Sequence, residues 1–127
     1  MTKIEVNLPS EYGIMFLYDS EVNPTFPVNA GSEPITHTST CLAFSVLIYV
    51  DGDAKIVLCN SAADISMKEY FAGEIECASK SLSLYDPNGF AFASIPLKAA
   101  FARVSLRMSE ERNPDTVECV IENMETF

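Results

Sequence analysis

Residues 101–123 read FARVSLRMSEERNPDTVECVIEN. In the first part, up to Met108, apolar side chains fill every second position, with arginine or serine between them. The second part repeats the pattern with Val117, Cys119 and Ile121. A period of two is typical of a strand with one buried face, and the polar SEERNP between the parts indicates a turn. The stretch therefore predicts an antiparallel hairpin.

The register of this hairpin follows from its apolar positions, because a slip by one residue would turn the apolar faces apart. One register that keeps them together places Arg107 opposite Glu118 and Arg103 opposite Glu122. Cross-strand ion pairs of this kind stabilise a sheet by about 0.2–1 kcal/mol each. We interpret these four side chains as structural.

The same alternation recurs along the chain. It is found in residues 4–8, 42–50, 56–58, 82–84 and 90–92. Short alternating runs separated by turn signals are typical of antiparallel all-β folds. There is no internal repeat and no linker. The sequence therefore predicts a single domain over residues 1–127, an all-β antiparallel sandwich of about eight strands.

Two further hairpins are predicted from turn residues. The sequence DPNG at 86–89 suits a type I turn closed by a glycine bulge, with Leu84 opposite Phe92. The sequence DGD at 51–53 predicts a turn between strands 41–50 and 54–60. Opposing Ile48 with Ile56, and Val46 with Leu58, keeps the apolar parity of that pair.

Two segments lack a clear strand pattern. Residues 19–40 hold three prolines and a glycine, which predicts a long crossing loop that wraps an edge or a face of the sandwich. Residues 61–71 begin with Ser61 and Asp64 in a spacing like that of a capping box, which predicts a short helix. A strand carrying Ile65 and Met67 is the alternative for that segment.

Composition limits the partners. The chain has 127 residues with 18 acidic and 8 basic side chains, a net charge of −10. Nucleic acids and anionic membranes attract clusters of lysine and arginine, so neither is expected as a partner. The N-terminus lacks the apolar core of a signal peptide, and the apolar run 41–50 is too short for a membrane span. We therefore expect a cytoplasmic protein.

The four cysteines are widely spaced, and no pair has the short spacing of a zinc or redox site. Two disulfides would suit a secreted protein, whereas cytoplasmic proteins keep their thiols reduced. We interpret Cys41, Cys59, Cys77 and Cys119 as free thiols.

No motif of a known catalytic class occurs. His37 is the only histidine, so a multi-histidine metal site is excluded, and we interpret it as a surface residue. Asp51 and Asp53 have the spacing of a calcium loop, but no glutamate follows at the twelfth loop position. The sequence therefore predicts no catalytic residue, no metal site and no cofactor.

The predicted strand directions bring several acidic turns together, if 73–86 is one long strand. The turns at 51–53, 86–89 and 109–115 then share one end of the sandwich, with Arg112 as their only base. If 73–78 and 80–86 are separate strands that reverse direction, part of this group is expected to fail. The grouped carboxylates are Asp51, Asp53, Asp86, Glu110, Glu111 and Asp115.

Three stretches carry a family resemblance. They are IEVNLPSEYGIMFLYDSE, NGFAFASIPLKAAFARVSLRM and the closing strand near DTVECVIENM. In the order of their strands and turns they resemble the competence protein J family of bacterial DNA-entry nuclease inhibitors. Residues 19–40 and 61–71 are outside this match. The resemblance implies a small acidic β protein that binds and inhibits a nuclease, and it assigns no individual residue.

These observations favour a non-catalytic, acidic protein-binding module, an inhibitor or immunity-type protein for a basic enzyme such as a nuclease. The grouped carboxylates would pair with lysine and arginine of that partner. The alternative explanation is that the acidic side chains keep a small protein soluble.

Two other classes of function stay open. Aromatic residues inside the β structure could line a site for a small ligand or a substrate, and these are Phe44, Phe90, Phe92, Tyr49 and Tyr85. Ala43, Leu47, Tyr49 and Val57 would form an apolar outer face, covered by the 19–40 loop or by a second copy of the chain in a homodimer.

Overall fold

The computed structural model describes residues 2–62 and 67–125, which form ten strands and one 3-10 turn. The strands are β1 (Lys3–Leu8), β2 (Ile14–Asp19), β3 (Ile35–His37), β4 (Cys41–Ser45), β5 (Ala54–Cys59), β6 (Lys68–Glu76), β7 (Ser81–Tyr85), β8 (Ala91–Pro96), β9 (Phe101–Met108) and β10 (Thr116–Ile121). The 3-10 turn is Tyr49–Asp51.

The strands form two five-stranded sheets. Sheet I has the order β1-β5-β10-β9-β6 and sheet II the order β3-β4-β2-β7-β8. All neighbours are antiparallel except β5 and β10, which are parallel. Inward side chains of both sheets form one apolar core, to which Phe44 and Leu17 of sheet II and Leu58 and Leu106 of sheet I belong. The predicted all-β sandwich is confirmed.

The β9–β10 hairpin has the predicted register. Arg107 is paired with Glu118, and the backbone N–H of Glu122 donates to the carbonyl of Arg103 at 3.1 Å. The apolar residues of both strands face the core, as their alternation requires.

The hairpin predicted between 41–50 and 54–60 is wrong. β4 lies in sheet II and β5 lies in sheet I, and the chain crosses between them through the 3-10 turn. Val46, Ile56 and Leu58 are all fully buried in the shared core, but they face it from opposite sheets. The alternating apolar positions of the two segments match because both face the same core, not because the strands are neighbours in one sheet. The pairs Ile48–Ile56 and Val46–Leu58 do not form.

The β7–β8 turn is confirmed, but the predicted pair Leu84–Phe92 is wrong. Gly89 has φ 81°, its N–H donates to the Asp86 carbonyl at 3.0 Å, and Asp86 N–H donates to the Phe90 carbonyl at 3.1 Å. Leu84 pairs with Ala93 and Tyr85 with Ala91, so Phe92 is the extra residue of a bulge.

Residues 73–86 are two strands, because β6 ends at Glu76 and β7 begins at Ser81 in the other sheet. The predicted helix over 61–71 is wrong for residues 68–71, which begin β6; Asp64 and Ile65 lie outside the described residues. The 19–40 segment is a loop apart from the ends of β2 and the short strand β3.

The predicted apolar outer face is divided among several places. Ala43 lies on the outer face of sheet II with Phe16, Cys41 and Tyr85, and Ala30 of the 19–40 loop packs against this cluster. Val57 lies on the outer face of sheet I, Leu47 packs against the core, and Tyr49 is 53% exposed. The cause is again that β4 and β5 belong to different sheets.

Candidate functional site

Strand pairing shows which loops share an end of the sandwich. In sheet I, Leu8 at the end of β1 is paired with Ala54 at the start of β5, and the 109–115 loop precedes Thr116 beside Lys55. In sheet II, Ile14 at the start of β2 is paired with Ser45 at the end of β4. Loops on this side are 9–13, 29–34, 46–53, 86–90 and 109–115.

Hydrogen bonds connect these loops across the two sheets. The N–H of Leu47 donates to the carbonyl of Pro114 at 2.9 Å, and the N–H of Val46 donates to the carbonyl of Gly13 at 3.0 Å. Ser45 N–H donates to the carbonyl of Pro34 at 2.8 Å. These bonds join four of the loops, and the pairing of Tyr85 with Phe16 places the fifth loop, 86–90, on the same side of the sandwich. We call the surface formed by the five loops the acidic end.

All six carboxylates of the predicted group lie in loops of the acidic end, five of them exposed and Asp86 half-buried. The six carboxylates share one end although β6 and β7 are separate strands, an arrangement expected from the sequence to divide the group. Asp86 follows β7, and the pairing of Tyr85 with Phe16 places this turn beside the start of β2. The grouped residues are Asp51, Asp53, Asp86, Glu110, Glu111 and Asp115.

Two further carboxylates belong to the acidic end and were missed from the sequence. Glu11 lies in the 9–13 loop, and Glu33 lines a small pocket together with Arg112. Strand direction could have found Glu11, because β1 and β2 reverse between the two sheets around Gly13. In these five described loops, Arg112 is the only lysine or arginine.

Local hydrogen bonds fix the backbone of two acidic loops. An oxygen of the Asp86 carboxylate accepts from the N–H groups of Asn88 at 2.9 Å and Phe90 at 3.0 Å, an arrangement typical of aspartate in a turn. The Asp115 carboxylate accepts from the hydroxyl of Ser109 at 3.0 Å. The negative charge at these loops is thus held on defined backbone.

The opposite end of the sandwich is built around a buried carboxylate. Asp19 is 4% exposed and accepts hydrogen bonds from the N–H of Ser79 at 2.9 Å, from the Ser79 hydroxyl and from the N–H of Glu21 at 2.8 Å. Burial alone would raise the pKa of Asp19, but these bonds stabilise its charged form and hold the pKa below its usual range. Asp19 therefore connects β2 to the β6–β7 turn.

The charged residues of the β9–β10 hairpin form the predicted ion pairs. Arg107 Nε lies 3.8 Å from Glu118 Oε1, and a guanidinium N–H of Arg107 donates to the carbonyl of Met67 at 2.6 Å. Arg103 Nη1 lies 3.8 Å from Glu122 Oε2, and both side chains are largely exposed. Glu118 is 3% exposed, so that pair is part of the sheet surface and not of an accessible site.

The thiols are poor candidates for nucleophiles. Each of the four cysteines is buried and free. Burial raises the pKa of Cys41 and of Cys77 to about 12 and that of Cys59 to about 11, because the thiolate would lose its hydration. The thiolate is the reactive form, so none of these three side chains is activated.

Neither His37 nor the Asp51–Asp53 pair belongs to a cluster of metal-binding side chains among the described residues. His37 is exposed on β3, and its ring packs edge-on against Phe71 with centroids 5.0 Å apart. Within residues 2–62 and 67–125, no three His, Cys, Asp or Glu side chains gather as metal ligands. In the same part of the chain, no helix is long and apolar enough to cross a bilayer.

The aromatic residues considered for an internal ligand site are dispersed. Phe44 is fully buried in the core, whereas Tyr85 is 9% exposed on the outer face of sheet II. Tyr49 and Phe90 are exposed, and Phe92 is half-buried. These side chains do not line one cavity between the sheets.

Comparison with solved structures identifies two similar folds. One is ComJ, described as the inhibitor of the DNA degrading activity of NucA, from Bacillus subtilis, with a TM-score of 0.65 over 93% of each chain and 11% sequence identity. The fold resembles that of ComJ. The other is the product of crocagin biosynthetic gene J, with a TM-score of 0.56, 12% identity, and coverage of 97% of this chain and 100% of that chain.

The resemblance to the competence protein J family is confirmed at the level of fold. No family model matches the chain, and no curated protein matches its sequence. At 11–12% identity the comparison assigns no residue, so the likeness concerns architecture alone.

Proposed function

We propose that this chain is a non-catalytic inhibitor or immunity-type protein whose acidic end binds a basic enzyme, with a nuclease as the best-supported class. The observation that carries the proposal is the charge of the acidic end. Its five loops hold eight carboxylates and one arginine. The carboxylates are Glu11, Glu33, Asp51, Asp53, Asp86, Glu110, Glu111 and Asp115.

Such a surface suits a partner that normally binds phosphate. Nucleases hold the nucleic-acid backbone with lysine and arginine, and carboxylates on exposed loops can form ion pairs with the same side chains. The negative field also accelerates encounter with a basic protein and repels nucleic acid. Binding of the acidic end over the basic cleft would therefore exclude the substrate without any chemical step.

The fold comparison supports the same class. ComJ is described as an inhibitor of a DNA-degrading enzyme, and its architecture is similar to that of this chain over nearly the whole length. The four buried free thiols support a cytoplasmic place of action, where thiols stay reduced. We propose that the chain acts there.

Affinity capture with two charge-matched variants tests the proposal. The first variant neutralises four carboxylates of the acidic end, Asp51→Asn, Asp53→Asn, Glu110→Gln and Glu111→Gln. The control neutralises four exposed carboxylates away from it, Glu21→Gln, Glu76→Gln, Glu122→Gln and Glu125→Gln. Both variants change the net charge of −10 by the same amount, so any difference between them reports on position.

We expect the unmodified protein and the control to retain one basic enzyme from the native host at about 0.05 M salt and to release it at about 0.5 M salt. The acidic-end variant should not retain it. Purified partner should then lose its catalytic activity when titrated with one equivalent of the unmodified protein. Retention by all three proteins, or full activity in the complex, would contradict the proposed function.

A further inference from the structure

A groove of about 560 Å³ opens at the acidic end beside the DPNG turn. Its walls come from the end of β1, the loop that follows it, the 3-10 turn, the β7–β8 turn and β8. The lining residues are Leu8, Pro9, Ser10, Glu11, Tyr49, Asp86 and Phe92. The groove thus combines apolar walls with two carboxylates.

The apolar part of the groove includes an exposed aromatic side chain. Tyr49 is 53% exposed, although it lies in a short turn of a small protein. Phe92, which also lines the groove, makes an edge-to-face contact with Phe90, with ring centroids 4.8 Å apart. An aromatic face beside carboxylates is a recognised environment for an organic cation.

A second pocket at the same end provides a contrast. It is smaller, about 190 Å³, and Tyr12, Glu33 and Arg112 are among its lining residues. Tyr12 is 56% exposed, so it matches Tyr49 in type and exposure. Arg112 offsets the charge of Glu33 in that pocket, whereas Glu11 and Asp86 face no base among the residues that line the Tyr49 groove, so a positively charged guest is attracted more strongly to the groove.

We propose that the Tyr49 groove receives an arginine side chain of the basic partner. This inference rests on the proposed function and adds to it the chemistry of one contact. The methylene stem of the arginine lies against Leu8 and Pro9, the guanidinium stacks on the Tyr49 ring, and its N–H groups donate to Glu11 and Asp86.

Arginine fits these walls better than lysine for two reasons. Its planar guanidinium stacks on an aromatic face and donates in two directions at once, whereas the ammonium of lysine is a compact and strongly hydrated point charge. Carboxylates alone would accept either cation. Preference for arginine is therefore the property that distinguishes the groove from the general charge of the acidic end.

Titration with two synthetic peptides tests this preference. Hexa-arginine and hexa-lysine carry equal charge, and binding is followed by amide chemical shifts of the ¹⁵N-labelled full chain at about 0.05 M salt. We expect hexa-arginine to bind about fivefold more tightly, with the largest shifts at Glu11, Tyr49 and Phe92. Equal affinity for the two peptides would overturn the groove proposal.

Substitutions of Tyr49 and Tyr12 show which of the two tyrosines is responsible for the preference for arginine. Tyr49→Ala should remove most of the fivefold advantage of hexa-arginine, and Tyr49→Phe should keep it because the aromatic face remains. Tyr12→Ala should leave the advantage unchanged. A loss that is equal for Tyr49→Ala and Tyr12→Ala would overturn the proposal.

Different outcomes contradict the arginine groove and the acidic binding surface. Peptides that bind equally well at the acidic end contradict the arginine groove and leave the proposed acidic surface in place. Shifts that avoid the acidic end for both peptides contradict the groove and also count against the proposed function.

Discussion

The two ends of the sandwich use aspartate in opposite ways. At the acidic end, Asp86 shapes an exposed turn through the N–H groups of Asn88 and Phe90, and its carboxylate still borders a groove. At the opposite end, Asp19 is buried, and its carboxylate accepts two hydrogen bonds from Ser79, which connect β2 to the β6–β7 turn, and one from the N–H of Glu21. The aspartate carboxylate is therefore accessible to a partner at the acidic end, whereas at the opposite end it is buried and stabilises the fold.

The bases are found at both ends of the sandwich. Lys3, Lys80 and Lys98 lie at the end away from the acidic loops, whereas Lys55 and Lys68 lie beside the 109–115 loop, at the start of β5 and of β6. The eight loop carboxylates still outnumber the three bases at the acidic end, Lys55, Lys68 and Arg112. An excess of one sign at one end attracts a partner of opposite charge to that end.

The largest stability effect is expected at Asp19. Asp19→Asn replaces a charged acceptor by an amide whose NH₂ group cannot accept from Ser79, so the free energy of unfolding should fall by about 2 kcal/mol. Urea unfolding of both proteins measures the difference. Asp86→Asn is the matched control, and it should cost less than about 0.5 kcal/mol because asparagine also forms this turn. Equal costs at the two sites would remove the contrast between the ends.

The low pKa of Asp19 predicts an acid-dependent loss of stability. A carboxyl group whose pKa is depressed in the folded state contributes its full stabilisation above its unfolded pKa of about 3.9 and loses it as the pH falls through the folded value. The unfolding free energies of the unmodified protein and of Asp19→Asn should therefore converge below about pH 4. A difference that stays constant down to pH 2 would show that the Asp19 charge does not matter.

A glycine at the acidic end is required by its backbone conformation. Gly89 has φ 81°, and the nearest heavy atoms leave space for a methyl group. Gly89→Ala should therefore destabilise by about 1 kcal/mol through backbone strain alone. Thermal unfolding measures this cost, and an unchanged melting temperature would contradict the assigned turn.

The turn at the opposite end offers the reverse test, with the smallest expected effect. Lys80 has φ 61°, a left-handed conformation in a residue that carries a side chain. Lys80→Gly should relieve that strain and raise the free energy of unfolding by less than about 1 kcal/mol, since the more flexible unfolded chain offsets part of the gain. Chemical denaturation resolves this difference, and a clear loss of stability would show that Lys80 makes a contact of its own.

Local sequence clues predicted the β9–β10 hairpin fully, because apolar parity and opposite charges both required the same register. They failed for β4 and β5. Two strands show the same apolar alternation when they are neighbours in one sheet and when they face each other across a core, so the pattern does not distinguish these arrangements. The bulge at Phe92 depends on how the hairpin is closed, and alternation alone does not show it. These are properties of tertiary packing, which short-range patterns do not contain.

The placement of the acidic loops at one end was predicted better than the sheet order, and their role in binding stays a prediction. Which end a loop occupies depends on the direction of a strand, and β4, β7 and β9 all end on the same side whichever sheet holds them. Glu33 was missed because it lies in the long 19–40 loop, whose return to the acidic end is fixed by the hydrogen bond between Ser45 and Pro34. The Tyr49 groove needs loops from both sheets, so no single segment indicates it.

The most direct test of the central claim is the salt dependence of affinity between this chain and the captured basic enzyme, measured by calorimetry for the unmodified protein and the two charge-matched variants. Affinity of the unmodified protein and of the control should fall steeply between about 0.05 M and 0.5 M salt, whereas the acidic-end variant should bind at least about 100-fold more weakly at low salt and depend little on salt. Affinity that does not change with salt, or equal losses in both variants, would contradict the assignment of binding to the acidic end.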